Sequence, residues 1–131
     1  MTLRFSEICV DAHDAGALAA WWSRVLGWPA EEDDDGDFVM HPPAGAGPDW
    51  LFIPVPDGKV VKNRIHLDFT PDDQRAEVER VIALGARPVD IGQGEQSWVV
   101  LADPEGNEFC ILRTLAEREG AAGADGLVEG S

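Results

Sequence analysis

The sequence predicts an α+β protein built from two successive copies of one unit: strand, helix, then about three strands. Three observations predict it. The stretch Lys62-Asn63-Arg64-Ile65-His66-Leu67-Asp68-Phe69 alternates, with Arg64, His66 and Asp68 on one side and Ile65, Leu67 and Phe69 on the other. A period of two is that of a strand with one polar and one buried face. Two helical stripes, Leu18/Trp21/Trp22/Val25 and Val78/Val81/Ile82, each run into a Leu-Gly stop with a proline shortly beyond. The interval from Asp14 to Leu26-Gly27 equals that from Asp72 to Leu84-Gly85, so the second half repeats the first in spacing.

In chain order, 3–10 reads as a strand with Phe5, Glu7 and Cys9 on one face and Ser6, Ile8 and Val10 on the other. Asp14 is a helix N-cap, because its carboxylate can accept the orphan N–H groups of a first turn. Gly27 and Pro29 end that helix, which is predicted over 15–26. Trp21 and Trp22 belong to its apolar stripe and are read as core. Residues 28–32 and 38–41 read as strands around the acidic run Glu31-Glu32-Asp33-Asp34-Asp35-Gly36-Asp37, a solvated turn with Gly36 at its tip. The run lacks the ligand spacing of a calcium loop. Residues 42–48 are a loop, 50–55 an apolar strand and 56–59 a turn.

The second copy opens with a strand over 63–69. Thr70 is the expected helix cap, with Pro71 in the first turn and Asp73 complementing the dipole. Strands follow over 87–91, 97–102 and 107–112, separated by Gly92-Gln93-Gly94 and Asp103-Pro104-Glu105-Gly106 turns. From Ala116 the chain turns Gly-, Ala- and acid-rich and reads as a frayed tail. The expected organisation is one domain over 1–115, with modules at about 3–56 and 62–114, and a flexible tail over 116–131.

At 131 residues the chain is long enough for a sizeable core, and 44% hydrophobic and 27% charged residues are ordinary for a globular protein. Asp and Glu number 25 against 10 Lys and Arg, a net charge of -15. That argues against nucleic acid or an anionic membrane as partner. No apolar run approaches the roughly 20 residues that span a bilayer. Two cysteines and no secretion signal give a reduced, cytoplasmic protein as the expectation.

The order of elements and the residues Asp14…Leu18-Ala19-Ala20-Trp21-Trp22…Leu26-Gly27-Trp28, Lys62-Asn63-Arg64-Ile65-His66-Leu67-Asp68, Leu84-Gly85-Ala86 and Asp103-Pro104-Glu105-Gly106-Asn107-Glu108-Phe109-Cys110 resemble the vicinal oxygen chelate superfamily, specifically its glyoxalase-like and bleomycin-resistance-like members. The match covers about residues 3–114. It implies the glyoxalase/bleomycin resistance/dihydroxybiphenyl dioxygenase-like fold, in which paired βαβββ modules form a curled sheet around a cleft. Metal-dependent relatives place ligands on the first and fourth strands of each module. The resemblance puts Glu7 and His66 at the first-strand positions and Cys110 at a fourth-strand position where relatives offer a carboxylate. The other fourth strand, 50–55, has no carboxylate or imidazole. Zinc accepts Glu, His and Cys, yet the missing acid favours loss of the metal over its retention.

Glu7 and His66 are therefore the candidate catalytic residues and the candidate metal ligands. Strand period places Arg64 and Asp68 with His66, and Cys9 with Glu7. Arg64, Asp68, Trp98, Cys110 and Trp50 are the candidate ligand-binding residues, Trp98 as an aromatic wall. A bland reading stands beside each: His66 fixed by Asp68, Arg64 paired with Asp68, the cysteines as packing residues. The resemblance implies a small-molecule enzyme of lyase or isomerase type, with no cofactor or a divalent metal. The alternative is a non-catalytic protein that sequesters an antibiotic or aromatic metabolite. Bleomycin-resistance-like relatives are often homodimers, whereas a duplicated chain can close its own cleft, so both assemblies stay open.

Overall fold

Each half folds as a mixed four-stranded sheet in which the first strand pairs in parallel with the last. The structure is a computed structural model, and it describes residues 3–89 and 97–118. The described residues divide into two units between Val60 and Val61. The first holds β1 (Glu7–Ala12), α1 (Ala15–Leu26), β2 (Ala30–Glu32), β3 (Phe38–Met40) and β4 (Asp49–Pro54), with strand order β1-β4-β3-β2. The second holds β5 (Leu67–Phe69), α2 (Gln74–Ala83), β6 (Arg87–Pro88), β7 (Val99–Ala102) and β8 (Glu108–Ile111), in the order β5-β8-β7-β6. The two βαβββ modules thus share one topology. A helical crossover between parallel strands explains why each first strand sits beside its module's last.

Local sequence explains the best-placed boundaries. Asp14 Oδ1 accepts from Ala17 N at 3.1 Å while its carbonyl accepts from Leu18 N at 3.0 Å, so α1 begins where the cap predicts. Gly27 ends it in the left-handed conformation at φ 73°, with its N–H on the Ser23 carbonyl at 2.8 Å. In the second module the cap is Asp73 rather than Thr70. Its Oδ1 accepts from Ala76 N at 3.1 Å and its carbonyl from Glu77 N at 3.0 Å. The helix starts where a carboxylate stands three residues before a free N–H, so Asp73 at β-region φ -148° takes the cap.

The strands depart more from expectation. β1 starts at Glu7 instead of Leu3, and Leu3 and Phe5 are exposed. β5 covers only Leu67–Phe69, so Arg64, Ile65 and His66 precede the ladder. Ile65, expected on the buried face, is 84% exposed. The physical reason lies at Asn63, whose N–H bonds the side chain of Glu108 at 2.8 Å in place of a neighbouring strand. The acidic run is a tight turn: Asp33 Oδ1 accepts from Asp35 N at 2.9 Å and Asp37 N at 3.0 Å. Asp103 repeats the device between β7 and β8, taking Glu105 N and Asn107 N at 2.9 Å each. Where the tail was expected to begin, residues 115–118 form a helical turn with a capping box, Glu117 N on Thr114 Oγ1 at 3.1 Å and Thr114 N on Glu117 Oε1 at 3.0 Å. The rest of the expected tail and the Gly92-Gln93-Gly94 turn lie outside the described residues.

The core of the first module lies between α1 and its sheet. Trp21 and Trp22 are buried there, as the stripe predicts, with Trp50 and Phe52 of β4 against them. Trp22 and Trp50 approach to 5.3 Å between ring centroids, and Trp28 meets Trp50 edge-on at 6.2 Å. In the second module Phe69 and Phe109 pack edge-on at 6.0 Å. Among the described residues no helix is long and apolar enough to cross a membrane.

Candidate functional site

The alternation that leads Phe69 and Phe109 into the core turns their neighbours to the opposite side of the second sheet. Asp68 of β5 lies in register with Cys110 of β8. Residues opposite each other on paired strands share a face, so carboxylate and thiol meet. His66 is two positions before Asp68 and falls on that face as well. Its Nδ1 lies 3.2 Å from Asp68 Oδ1, with the two side chains 20% and 22% exposed. Cys110 Sγ lies 4.0 Å from the same nitrogen. One imidazole, one carboxylate and one thiol thus gather within 4.8 Å, the one such trio among the described residues.

The electrostatics of the trio set its chemistry. Burial pushes the Cys110 thiol up to about 12, helped by the charge of Asp68 and hydrogen bonding to it, with Lys62 opposing. Cys110 is therefore a neutral thiol at ordinary pH, which makes it an inert nucleophile by itself. Beside it, Val100 and Leu112 complete an apolar cluster on which Trp98 and Val89 pack, half-buried. Trp98 thus walls the same face.

The other expected site residues go elsewhere. Arg64 is exposed and outside the ladder. Trp50 is 5% exposed and belongs to the aromatic core of the first module, so its indole is spent on Trp22, Trp28 and Phe52. Glu7 is exposed at the start of β1, in register with Asp49. One step along the chain carries Asp14 onto Asp73, Glu7 onto His66, Cys9 onto Asp68 and Leu51 onto Cys110. Glu7 and His66 are thus equivalent positions of the two modules, and the trio's third position is a leucine in the first. Two residues were not read as site residues in the sequence: Lys62, whose charge reaches Cys110, and Glu108, which binds Asn63. The period of β8 put Glu108 on the face of Cys110, but nothing local marked its partner.

A family model for the glyoxalase-like domain matches residues 7–112. This chain belongs to the glyoxalase-like domain family. With it the chain joins the vicinal oxygen chelate superfamily, and solved structures agree on the fold. A glyoxalase/bleomycin resistance protein/dioxygenase family enzyme from Burkholderia phytofirmans is 20% identical, with a TM-score of 0.65 over 84% of this chain and 98% of that one. The fosfomycin resistance protein FosX from Mesorhizobium loti is 17% identical, with a TM-score of 0.65 over 92% and 99%. The FosX of Listeria monocytogenes, described in complex with Mn(II) and sulfate, is 19% identical, with a TM-score of 0.65 over 92% and 98%. A search of curated proteins gave no match.

The glyoxalase-like chain's donor set can be tested against a divalent ion. His66 nitrogen, Asp68 oxygen and Cys110 sulfur converge within reach of one cation. Imidazole with thiolate suits a borderline ion such as zinc, whereas an oxygen-rich set suits manganese or magnesium. The set fits a zinc-like ion, which would have to displace the thiol proton.

Proposed function

We propose that the protein acts on a small molecule at the His66–Asp68–Cys110 face of the second module, moving a proton beside a substrate carbonyl as a lyase or isomerase does. The observation that carries this reading is the 3.2 Å approach of Asp68 Oδ1 to His66 Nδ1. A carboxylate on one ring nitrogen fixes the tautomer and the ring orientation, leaving Nε2 to take or give a proton. A divalent ion bound by His66, Asp68 and Cys110 would supply Lewis-acid polarisation of a substrate oxygen, and proton transfer by His66 does not require it. The free thiols of Cys9 and Cys110 suit the reducing cytoplasm.

The test is isotope exchange. Vicinal dicarbonyl and α-hydroxycarbonyl compounds are incubated in D2O with wild type and with His66→Ala. Deuterium should enter the C–H beside the carbonyl at least about 100-fold faster with wild type. Compounds that bind but neither exchange nor turn over would refute the catalytic reading. Trp98 favours a second reading, sequestration, because its half-buried indole lines the same face. On that reading Trp98→Ala weakens binding and no bound compound is ever consumed.

A further inference from the structure

We infer that Glu108 is a positioning residue for His66, its carboxylate clamping the segment that delivers the imidazole to Asp68 and Cys110. This inference rests on the reading of that trio as the functional site. The β5–β8 ladder begins at Leu67 and Phe109, so His66 lies one residue beyond its last pairing. In the first module the equivalent residue, Glu7, is inside the ladder, in register with Asp49. The second module gives up that pairing and replaces it with a side-chain clasp. Asn63 N donates to Glu108 Oε1 at 2.8 Å, Asn63 Nδ2 to the Glu108 carbonyl at 3.4 Å, and Lys62 Nζ to the Asn63 carbonyl at 3.2 Å.

A hydrogen bond to an ionised carboxylate is among the shorter and stronger kinds, and this one is part-buried. Glu108 opens β8 two residues before Cys110, so strand period aims both side chains at one face. The same strand therefore supplies the trio's thiol and the anchor of its imidazole. The equivalent residue in the first module, Asp49, meets His41 instead, at 3.3 Å. The clasp is thus particular to the module that holds the trio.

The experiment compares wild type, Glu108→Ala, Glu108→Gln and His66→Ala in the full chain. The primary readout is the ring 15N–1H correlation of His66, which reports its bond to Asp68. The second is affinity for Zn(II) alone, read by competition with a chromophoric chelator. Glu108→Ala should displace the His66 ring signals and weaken zinc about tenfold or more, the range for partners that hold a ligand in place. Glu108→Gln keeps the acceptor oxygen and should restore both. Should Glu108→Ala fail to fold by circular dichroism, Asn63→Pro removes the same bond from the donor side and should give the same displacement. Ring signals unchanged in the folded variant, whichever of the two it is, overturn the inference. Zinc affinity unchanged in His66→Ala refutes the trio as a metal site and leaves the clasp to be decided by the ring signals.

Discussion

The first module spends its sequence on apolar packing, and the second spends it on polar fixtures. Helix α1 buries Ala15, Leu18, Ala19, Trp21, Trp22 and Val25, whereas α2 buries Val81 alone. The reason is visible in Gln74-Arg75-Ala76-Glu77-Val78-Glu79-Arg80-Val81-Ile82-Ala83, where charges leave a narrow stripe. Arg80 and Glu77 pair on its surface at 2.8 Å. The second module offsets this with a wholly buried Asp103 in its turn, the Glu108 clasp, and Gln74 Nε2 donating to the carbonyls of Ser97 and Ile111. One strand order can therefore be held together in two ways.

The sharpest way to break the comparison is to empty a core position in each module. Phe52→Ala should destabilise by about 4 kcal/mol, since the ring is wholly buried between helix and sheet. Val81→Ala, the single buried position of α2, should cost about 2 kcal/mol. Denaturant unfolding followed by tryptophan fluorescence measures both, and equal losses would erase the contrast. Next in size is the shared turn device. Asp103→Ala strips four turn bonds from a side chain 1% exposed and should cost about 3 kcal/mol. Asp33→Ala removes the same kind of bonds near solvent and should cost about 1 kcal/mol.

How far the sequence foretold this division depends on how local the cause was. The bounds of α1 came out as read because Asp14 and Gly27 carry both ends within one turn of the helix. The start of β5 did not, because the group that takes the Asn63 N–H is Glu108, which lies in the last strand. Trp50 sits in a run without alternation, Trp50-Leu51-Phe52-Ile53, so the sequence alone offered no way to tell its face. His66 and Asp68 were legible as neighbours by strand period. That Cys110 joins them needed the parallel register, which no local pattern reveals.

The two thiols sharpen the comparison further. Iodoacetamide at about pH 8 should label exposed Cys9 and leave Cys110 unmodified until the protein unfolds, because burial and Asp68 keep its thiol protonated. Peptide mass after quenching at timed intervals reads the difference. The smallest effect belongs to the first module. The hydrogen bond to Glu31 raises the His41 pKa, with Asp49 adding and burial opposing. A raised histidine pKa stabilises the fold fully below the unfolded value near 6.5, and the gain is lost as pH rises through the folded value. Wild type should therefore exceed His41→Ala by more at about pH 5 than at about pH 9. The paired side chains are 43% to 72% exposed, so the change should be only a few tenths of a kcal/mol, read from paired thermal melts.

The parallel docking of β8 on β5 also joins distant parts of the chain. His66 and Cys110 lie 44 positions apart, with β5, α2, β6 and β7 threaded between them. Contacts that close so long a loop carry a large closure entropy. A nascent chain released before β8 carries the imidazole and the carboxylate without the thiol or the clasp. The centre is therefore a record of completed synthesis: only a module folded to its final strand has one.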